Sequence, residues 1–258
     1  MTTKKPAFPN LFLALVLMVS SFSCSKTEDP TTLPEENTTV PDFYKKIYGA
    51  SSITSDGTYI TIKTNGVPDH KSPYYPTNNP LYEAYSGTTF GGYTFAKNPN
   101  QIATQSFTFK IPVNPKVDAN HAATPLGVIG LALNGVALFN QYAGPNNQAL
   151  TGEIASFDKY YGHPQNTGQY HYHVEPLYLT TVKSTKSGLV GFLLDGFPVY
   201  GPQEESGTTV TSSNLDAYHG HTHATLDFPA GIYHYHFTAD APYLNGNGYY
   251  GTAGTVTR

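Results

Sequence analysis

From Tyr59 to Thr64 apolar and polar residues alternate singly, Tyr59-Ile60-Thr61-Ile62-Lys63-Thr64, and most are β-branched or aromatic. That period of two predicts a half-buried strand, with Asp56-Gly57 as the turn before it. Alternation returns between Gln105 and Val113 on Phe107, Phe109 and Ile111, and Pro112 and Pro115 should stop this second strand. Between them, positions 71 to 100 are rich in Pro, Asn and Gly and predict a long irregular loop, of the kind that is commonly functional or disordered. Just before that loop, His70 follows Asp69 as a ligand or substrate contact, or as a solvated loop side chain.

Further on, the pattern repeats itself. Gly130-Leu131-Ala132-Leu133-Asn134-Gly135-Val136-Ala137-Leu138-Phe139 aligns with Gly191-Phe192-Leu193-Leu194-Asp195-Gly196-Phe197-Pro198-Val199-Tyr200. Both are apolar strands broken by Asn-Gly or Asp-Gly, a hairpin signal. The shared turn position makes a turn role for Asp195 preferable to a general-base role. Asp158-Lys159-Tyr160-Tyr161-Gly162-His163 then aligns with Asp216-Ala217-Tyr218-His219-Gly220-His221, and Tyr170-His171-Tyr172-His173 with Tyr233-His234-Tyr235-His236. Matched blocks in one order predict two structural repeats, about 130–178 and 191–243. The fold class is mainly β: a sandwich- or barrel-like domain over 41–258 with long loops and an internal duplication in its C-terminal half. A local pseudo-twofold axis would bring the two histidine faces together; repeats lying side by side would keep them apart.

Composition supports short strands joined by many turns: the 258 residues include 21 Tyr, 24 Gly and 20 Pro but only 12% charged residues. A net charge of −4 leaves no basic footprint for nucleic acid. The N-terminus has the form of an export signal over 1–23, with Lys4 and Lys5, the apolar run Leu11 to Val19, and small residues before Cys24. Ser21-Phe22-Ser23-Cys24 resembles a bacterial lipoprotein cleavage box, with Ser21 in place of the usual Leu; an ordinary secretory cleavage nearby is the alternative. The expectation is a lipidated Cys24, a polar tether to about Val40, and attachment to the membrane of a bacterial cell envelope. Met1 and Met18 lie in the segment to be removed and Cys24 is the one cysteine. The mature domain therefore offers no free sulfur, and any metal site must use imidazole and oxygen, which argues against Cu(I), iron–sulfur and thiolate zinc and leaves Zn²⁺, Cu²⁺, Fe²⁺, Ni²⁺ or Mn²⁺, with Zn or Cu the expected divalent transition metal.

In a strand, residues two apart share one side. His171 and His173 therefore share a face, as do His234 and His236, with the tyrosines opposite. Two such imidazoles and a third from a neighbouring segment make a three-nitrogen metal site with a position open to water or substrate. The candidate ligands are His163, His171 and His173 in the first repeat, and His234 and His236 with His221 or His223 in the second. Asp158 and Asp216 are candidate acceptors for the N–H of a ligand histidine, or Asx-turn residues. The competing reading is a strand with tyrosines packed inward and histidines at a wet surface. There is no Gly-x-Ser-x-Gly elbow, thiol or phosphate loop to support other catalytic chemistry.

At these residues the chain resembles the YHYH-domain proteins, a family of bacterial and other exported proteins. The resemblance is carried by Asn65-Gly66-Val67-Pro68-Asp69-His70, Phe109-Lys110-Ile111-Pro112, Gly162-His163-Pro164-Gln165, Gly168-Gln169-Tyr170-His171-Tyr172-His173, Asp195-Gly196-Phe197-Pro198-Val199-Tyr200-Gly201 and Gly231-Ile232-Tyr233-His234-Tyr235-His236. It implies no catalytic residue. Family members often have cysteines between these motifs, and this chain has none there. The expected function is metal binding through the paired motifs, in support of hydrolysis or oxidation of an extracytoplasmic substrate. A non-enzymatic module holding a glycan, another small molecule or a protein is the second expectation, and a purely structural domain the third.

Overall fold

A computed structural model describes residues 38–258; the signal segment 1–23, Cys24 and the tether as far as residue 37 lie outside the described residues. The strands are β1 Ala50–Ser55, β2 Tyr59–Thr64, β3 Phe107–Pro112, β4 Val128–Ala132, β5 Ala137–Phe139, β6 Tyr142–Ala143 and β7 Gln148–Ala149. They continue with β8 Gly162–Pro164, β9 Tyr170–Tyr172, β10 Leu189–Leu193, β11 Pro198–Tyr200, β12 Gly220–His223, β13 Ile232–His236 and β14 Thr255–Thr257. Both alternating segments are strands, and they pair with each other: β2 lies between β1 and β3, and β14 closes the far side of β3. The loop 71–100 is irregular as expected, yet Tyr74, Tyr75 and Phe90 are buried in it.

The larger sheet has eight strands in the order β12-β13-β11-β10-β4-β5-β9-β8. That order reads the same from either end once the repeats are matched. At its centre β10 and β4 are antiparallel, with Phe192 opposite Leu131, Gly191 opposite Ala132 and Leu193 opposite Gly130. Matched residues exchange places across this pairing, so a pseudo-twofold axis passes between Phe192 and Leu131, perpendicular to the sheet. Close approach there requires glycine: a Cβ on Gly130 would lie 2.4 Å from the Phe192 carbonyl oxygen, and one on Gly191 2.2 Å from that of Leu131.

Each half is built alike. The Asn-Gly and Asp-Gly hairpins close with Ala132 N–H to Val136 O and Gly135 N–H to Ala132 O, matched by Leu193 N–H to Phe197 O and Gly196 N–H to Leu193 O. Gly135 and Gly196 have φ of 80° and 87°. These are three-residue loops with a glycine in the left-handed region, rather than two-residue turns. The hairpin's second strand then pairs in parallel with the histidine strand, Leu138 beside Tyr172 and Val199 beside Tyr235. The Asp-to-His loops also match: Asp158 N–H to Gly162 O and Asp216 N–H to Gly220 O are both 2.9 Å, and Tyr161 and His219 both take positive φ. Residues of both sheets share one apolar cluster that includes Ile60, Ile62, Phe107, Phe109, Leu131, Val136, Phe192 and Leu193, in a sandwich-like arrangement.

The hairpins occupy the centre of the sheet and the histidine strands its two ends. Four strands separate β9 from β13, about 24 Å at the usual strand spacing. The pseudo-twofold axis therefore keeps the histidine faces apart and does not bring them together.

Candidate metal centres

The pleat of β9 puts His171 and His173 on one side, and antiparallel β8 sets His163 directly opposite His171. In β13 the same pleat aligns His234 and His236, with His221 of β12 directly opposite His234 and His223 opposite Ile232. Among the described residues two groups of donors result, Glu153 with His163, His171 and His173, and Glu204 with His221, His223, His234 and His236. Within each group the donor atoms all lie within 4.8 Å of one another.

Hydrogen bonds decide which imidazole nitrogen faces inward. In the first group His171 Nδ1 is 3.1 Å from Gln169 O and His173 Nδ1 is 2.6 Å from Asn140 O. A carbonyl can only accept, so both Nδ1 atoms carry the proton. His163 Nδ1 is 2.7 Å from Ser156 Oγ, whose own hydrogen goes to Glu153 O, so this Nδ1 also donates. In a neutral ring each Nε2 is then a bare lone pair. Yet His171 Nε2 lies 3.0 Å from Nε2 of both His163 and His173. With no proton between them these are not hydrogen bonds; they are three lone pairs aimed at one point. Four ligands held tetrahedrally at about 2.05 Å would stand about 3.3 Å apart, close to what is seen.

Equivalent carbonyls hold the second group. His234 Nδ1 lies 2.9 Å from Ile232 O and His236 Nδ1 2.7 Å from Gly201 O, the counterparts of the Gln169 and Asn140 contacts. His223 Nδ1 is 2.7 Å from Ala224 O. The Nε2 atoms of His221, His223, His234 and His236 are buried without a hydrogen-bond partner. Glu204 oxygens approach to 3.2 Å of His221, 2.8 Å of His223 and 3.6 Å of His236 Nε2. Glu153 Oε2 sits similarly, 3.4 Å from His163 Nε2 and 3.7 Å from His173 Nε2.

Burial keeps nearly all these rings neutral. Desolvation pushes His163 and His171 well below the ordinary imidazole range, helped by their neighbouring histidines. It lowers His173 to about 4 against the opposing Asn140 bond, His234 to about 3 and His236 to about 4. His221 is lowered by burial too, against Glu204. For His223 burial is outweighed by the Ala224 bond and the Glu204 carboxylate, and its pKa rises. Desolvation raises Glu153. Neutral nitrogens with fixed tautomers and an adjoining carboxylate are what a divalent transition metal requires, and sulfur is missing from both sets.

The structure brings together all seven histidines picked out from the sequence, with both His221 and His223 in the second group. It contradicts a wet-surface role for the tetrapeptide histidines, since His171, His173, His234 and His236 are at most 2% exposed. Asp158 and Asp216 do not accept from these histidines. Asp158 takes Ser72 Oγ–H at 2.6 Å and Tyr170 O–H at 2.9 Å, and Asp216 takes Tyr233 O–H at 2.9 Å; both also accept from the backbone N–H two residues on, closing Asx turns. The pleat explains this: the tyrosine face, not the histidine face, turns toward them. Asp195 accepts from Phe197 N–H in its turn and from Tyr235 O–H at 2.6 Å. His70 is buried rather than solvated, its Nε2 accepting from Tyr172 O–H at 3.0 Å. Glu153 and Glu204 were not singled out from the sequence. Both lie in the connection that follows their repeat's hairpin, and no periodicity marks them.

The two groups differ in the space beside them. All four donors of the first line a cleft of about 760 Å³, with Phe139, Tyr142, Gln165 and Arg258. The second adjoins a cavity of about 10 Å³ whose lining includes Glu204, His223, His234 and His236, no larger than a single water needs, while its His221 and His223 side chains are 25% and 37% exposed.

Fold and site define a duplicated β-sheet protein carrying one histidine–carboxylate cluster at each end of its larger sheet. The family model described as YHYH protein matches residues 108–211 and 203–248, more than half the chain, and the chain belongs to this family. Comparison with curated proteins and with solved structures returns no match.

Proposed function

We propose that the chain is an exported, lipid-anchored protein of a bacterial cell envelope that binds two divalent transition-metal ions, one in each repeat. The observation that carries this reading is the set of inward Nε2 atoms, fixed on six of the seven rings by a proton-accepting group at Nδ1, behind the ring. Without a cation these atoms are buried polar groups left unsatisfied, at about 1–3 kcal/mol each. His163, His171 and His173, with Glu153 beside them, would hold one ion, and His221, His223, His234 and His236 with Glu204 the other; Zn or Cu(II) suits both sets. A bound ion would supply Lewis acidity, or redox capacity if copper, for hydrolysis or oxidation of an extracytoplasmic substrate. Around it, the Asn140, Gln169 and Ser156 acceptors hold the rings in one tautomer, and the Glu153 carboxylate stands beside the His163 and His173 Nε2 atoms.

The test is the metal content of residues 25–258, prepared without a histidine tag. Two ions per chain are expected. His171→Ala with His173→Ala should leave one, as should His234→Ala with His236→Ala, and all four together should leave none. A metal-free protein whose melting temperature ignores added Zn²⁺ and Cu²⁺ would sink the proposal. The membrane placement rests on the Lys4-Lys5, Leu11–Val19 and Cys24 pattern. Cys24→Ala should move the full-length protein from the membrane fraction to the soluble one, and retention in the membrane would count against lipidation.

A further inference from the structure

The repeats match residue for residue around the clusters, so the places where they differ are informative. Pro164 of β8 corresponds to Thr222 of β12, and the next residue, Gln165, corresponds to His223. Gln165 N–H donates to Gln169 O at 3.0 Å, continuing the ladder to the register in which His223 faces Ile232. The second cluster has an imidazole at this position. The first has an amide whose Nε2 is turned to Gln169 Oε1 at 2.8 Å and to Thr167 Oγ1 at 3.3 Å. One donor fewer and a cleft of about 760 Å³ go together in the first repeat; five donors and about 10 Å³ go together in the second.

The cleft also contains the chain's one arginine. Arg258 lines it, with its guanidinium carbon 5.6 Å from the centroid of the Phe107 ring. A divalent ion at the cluster and a guanidinium on the wall, against the single carboxylate Glu153, make the cleft net positive. Amide and aromatic side chains, among them Asn166, Gln165, Phe139 and Tyr142, also line it.

Resting on the metal-binding reading, we infer that the two centres have different jobs. The first accepts a small anionic ligand, a carboxylate or similar oxyanion, directly on its ion with Arg258 alongside, whereas the second is coordinatively closed and structural. Gln165 is the residue that leaves the first centre open. Three imidazole ligands leave a fourth zinc position open, as in catalytic sites, whereas four imidazoles close a structural one.

The experiment loads untagged residues 25–258 with Co²⁺ and titrates azide, following the visible absorption. Uptake of two Co²⁺ per chain is the precondition; if none binds, the metal-binding reading itself fails. With two bound, azide should perturb the spectrum of one ion, saturably. The response should vanish in the His171→Ala/His173→Ala variant and persist in His234→Ala/His236→Ala. Arg258→Ala should weaken azide about three- to tenfold, as expected for loss of one charge-assisted contact. Gln165→His should cut the azide response at least about tenfold by occupying the open side of the ion. If a double-alanine variant loses its fold by circular dichroism, Gln165→His and Arg258→Ala decide alone. Azide acting on both ions, on neither, or only on the second centre would overturn the inference and leave metal binding standing.

Discussion

Asp195 is fully buried in the turn of the second hairpin, where the first repeat has Asn134, and this difference makes stability depend on pH. Desolvation raises the Asp195 carboxyl from 3.8 to about 6, against hydrogen bonds from Tyr235, Gly251 and Phe197 that lower it. A folded-state pKa above the unfolded one means that the folded chain binds the extra proton. Its contribution is complete below pH 3.8 and is lost as pH rises through about 6. At about 1.36 kcal/mol per pKa unit, the loss is about 3 kcal/mol. Asp195→Asn cannot titrate. The stability of the native protein relative to this variant should therefore fall by about 2.4 kcal/mol between pH 4 and pH 7, equivalent to about 5–10 °C in melting temperature for a domain of this size. Urea denaturation of both proteins, with chelator present to remove metal linkage, gives the difference curve. A flat curve, or one rising with pH, would refute the argument that burial dominates at this carboxyl.

Tyr172→Phe should cost about 1–3 kcal/mol in chelator, because His70 Nε2 loses the hydroxyl that donates to it, and the loss is readable as a shift in urea midpoint. Gly130→Ala and Gly191→Ala should each cost at least about 2 kcal/mol, because the added carbon meets backbone carbonyl oxygen across the twofold axis; thermal melts showing either neutral would contradict the close packing there. Because burial holds His173 near 4 and His163 and His171 well below the ordinary imidazole range, protons should compete with metal at the first cluster only below about pH 5. Metal retained after dialysis across pH 4–7 checks this, and half-release near the ordinary imidazole pKa would contradict it.

Strands β2 and β3, both hairpins, the two tetrapeptide strands and six of the seven histidines were legible because each lies in a block with a strict period or a matched partner. Alternation alone places His171 beside His173, and the common Gly-His spacing identifies His163 and His221 as their neighbours. The arrangement of the repeats was not legible, because local patterning does not say which strands pair across the duplication. Pairing β4 with β10 at the centre sends the histidine strands outward. Glu153 and Glu204 were hidden for another reason: they stand in connecting segments that do not align, and a single loop carboxylate has no pattern until the fold closes around it. Sequence proximity to Gly-His misdirected the reading of Asp158 and Asp216, since the pleat presents tyrosine hydroxyls to them. His70 is buried because Tyr160, Tyr172 and Tyr178 enclose it, a contact across distant segments.

The central claim is that inward Nε2 atoms in each repeat converge on a metal ion. An anomalous-difference map from crystals of the untagged protein, recorded at the absorption edge of the metal it carries, tests this most directly. The account predicts two peaks per chain, one at about 2.0–2.1 Å from Nε2 of His163, His171 and His173 and one at the same distance from Nε2 atoms of the second cluster. Maps without peaks at these positions, or with metal bound through Nδ1, would contradict it.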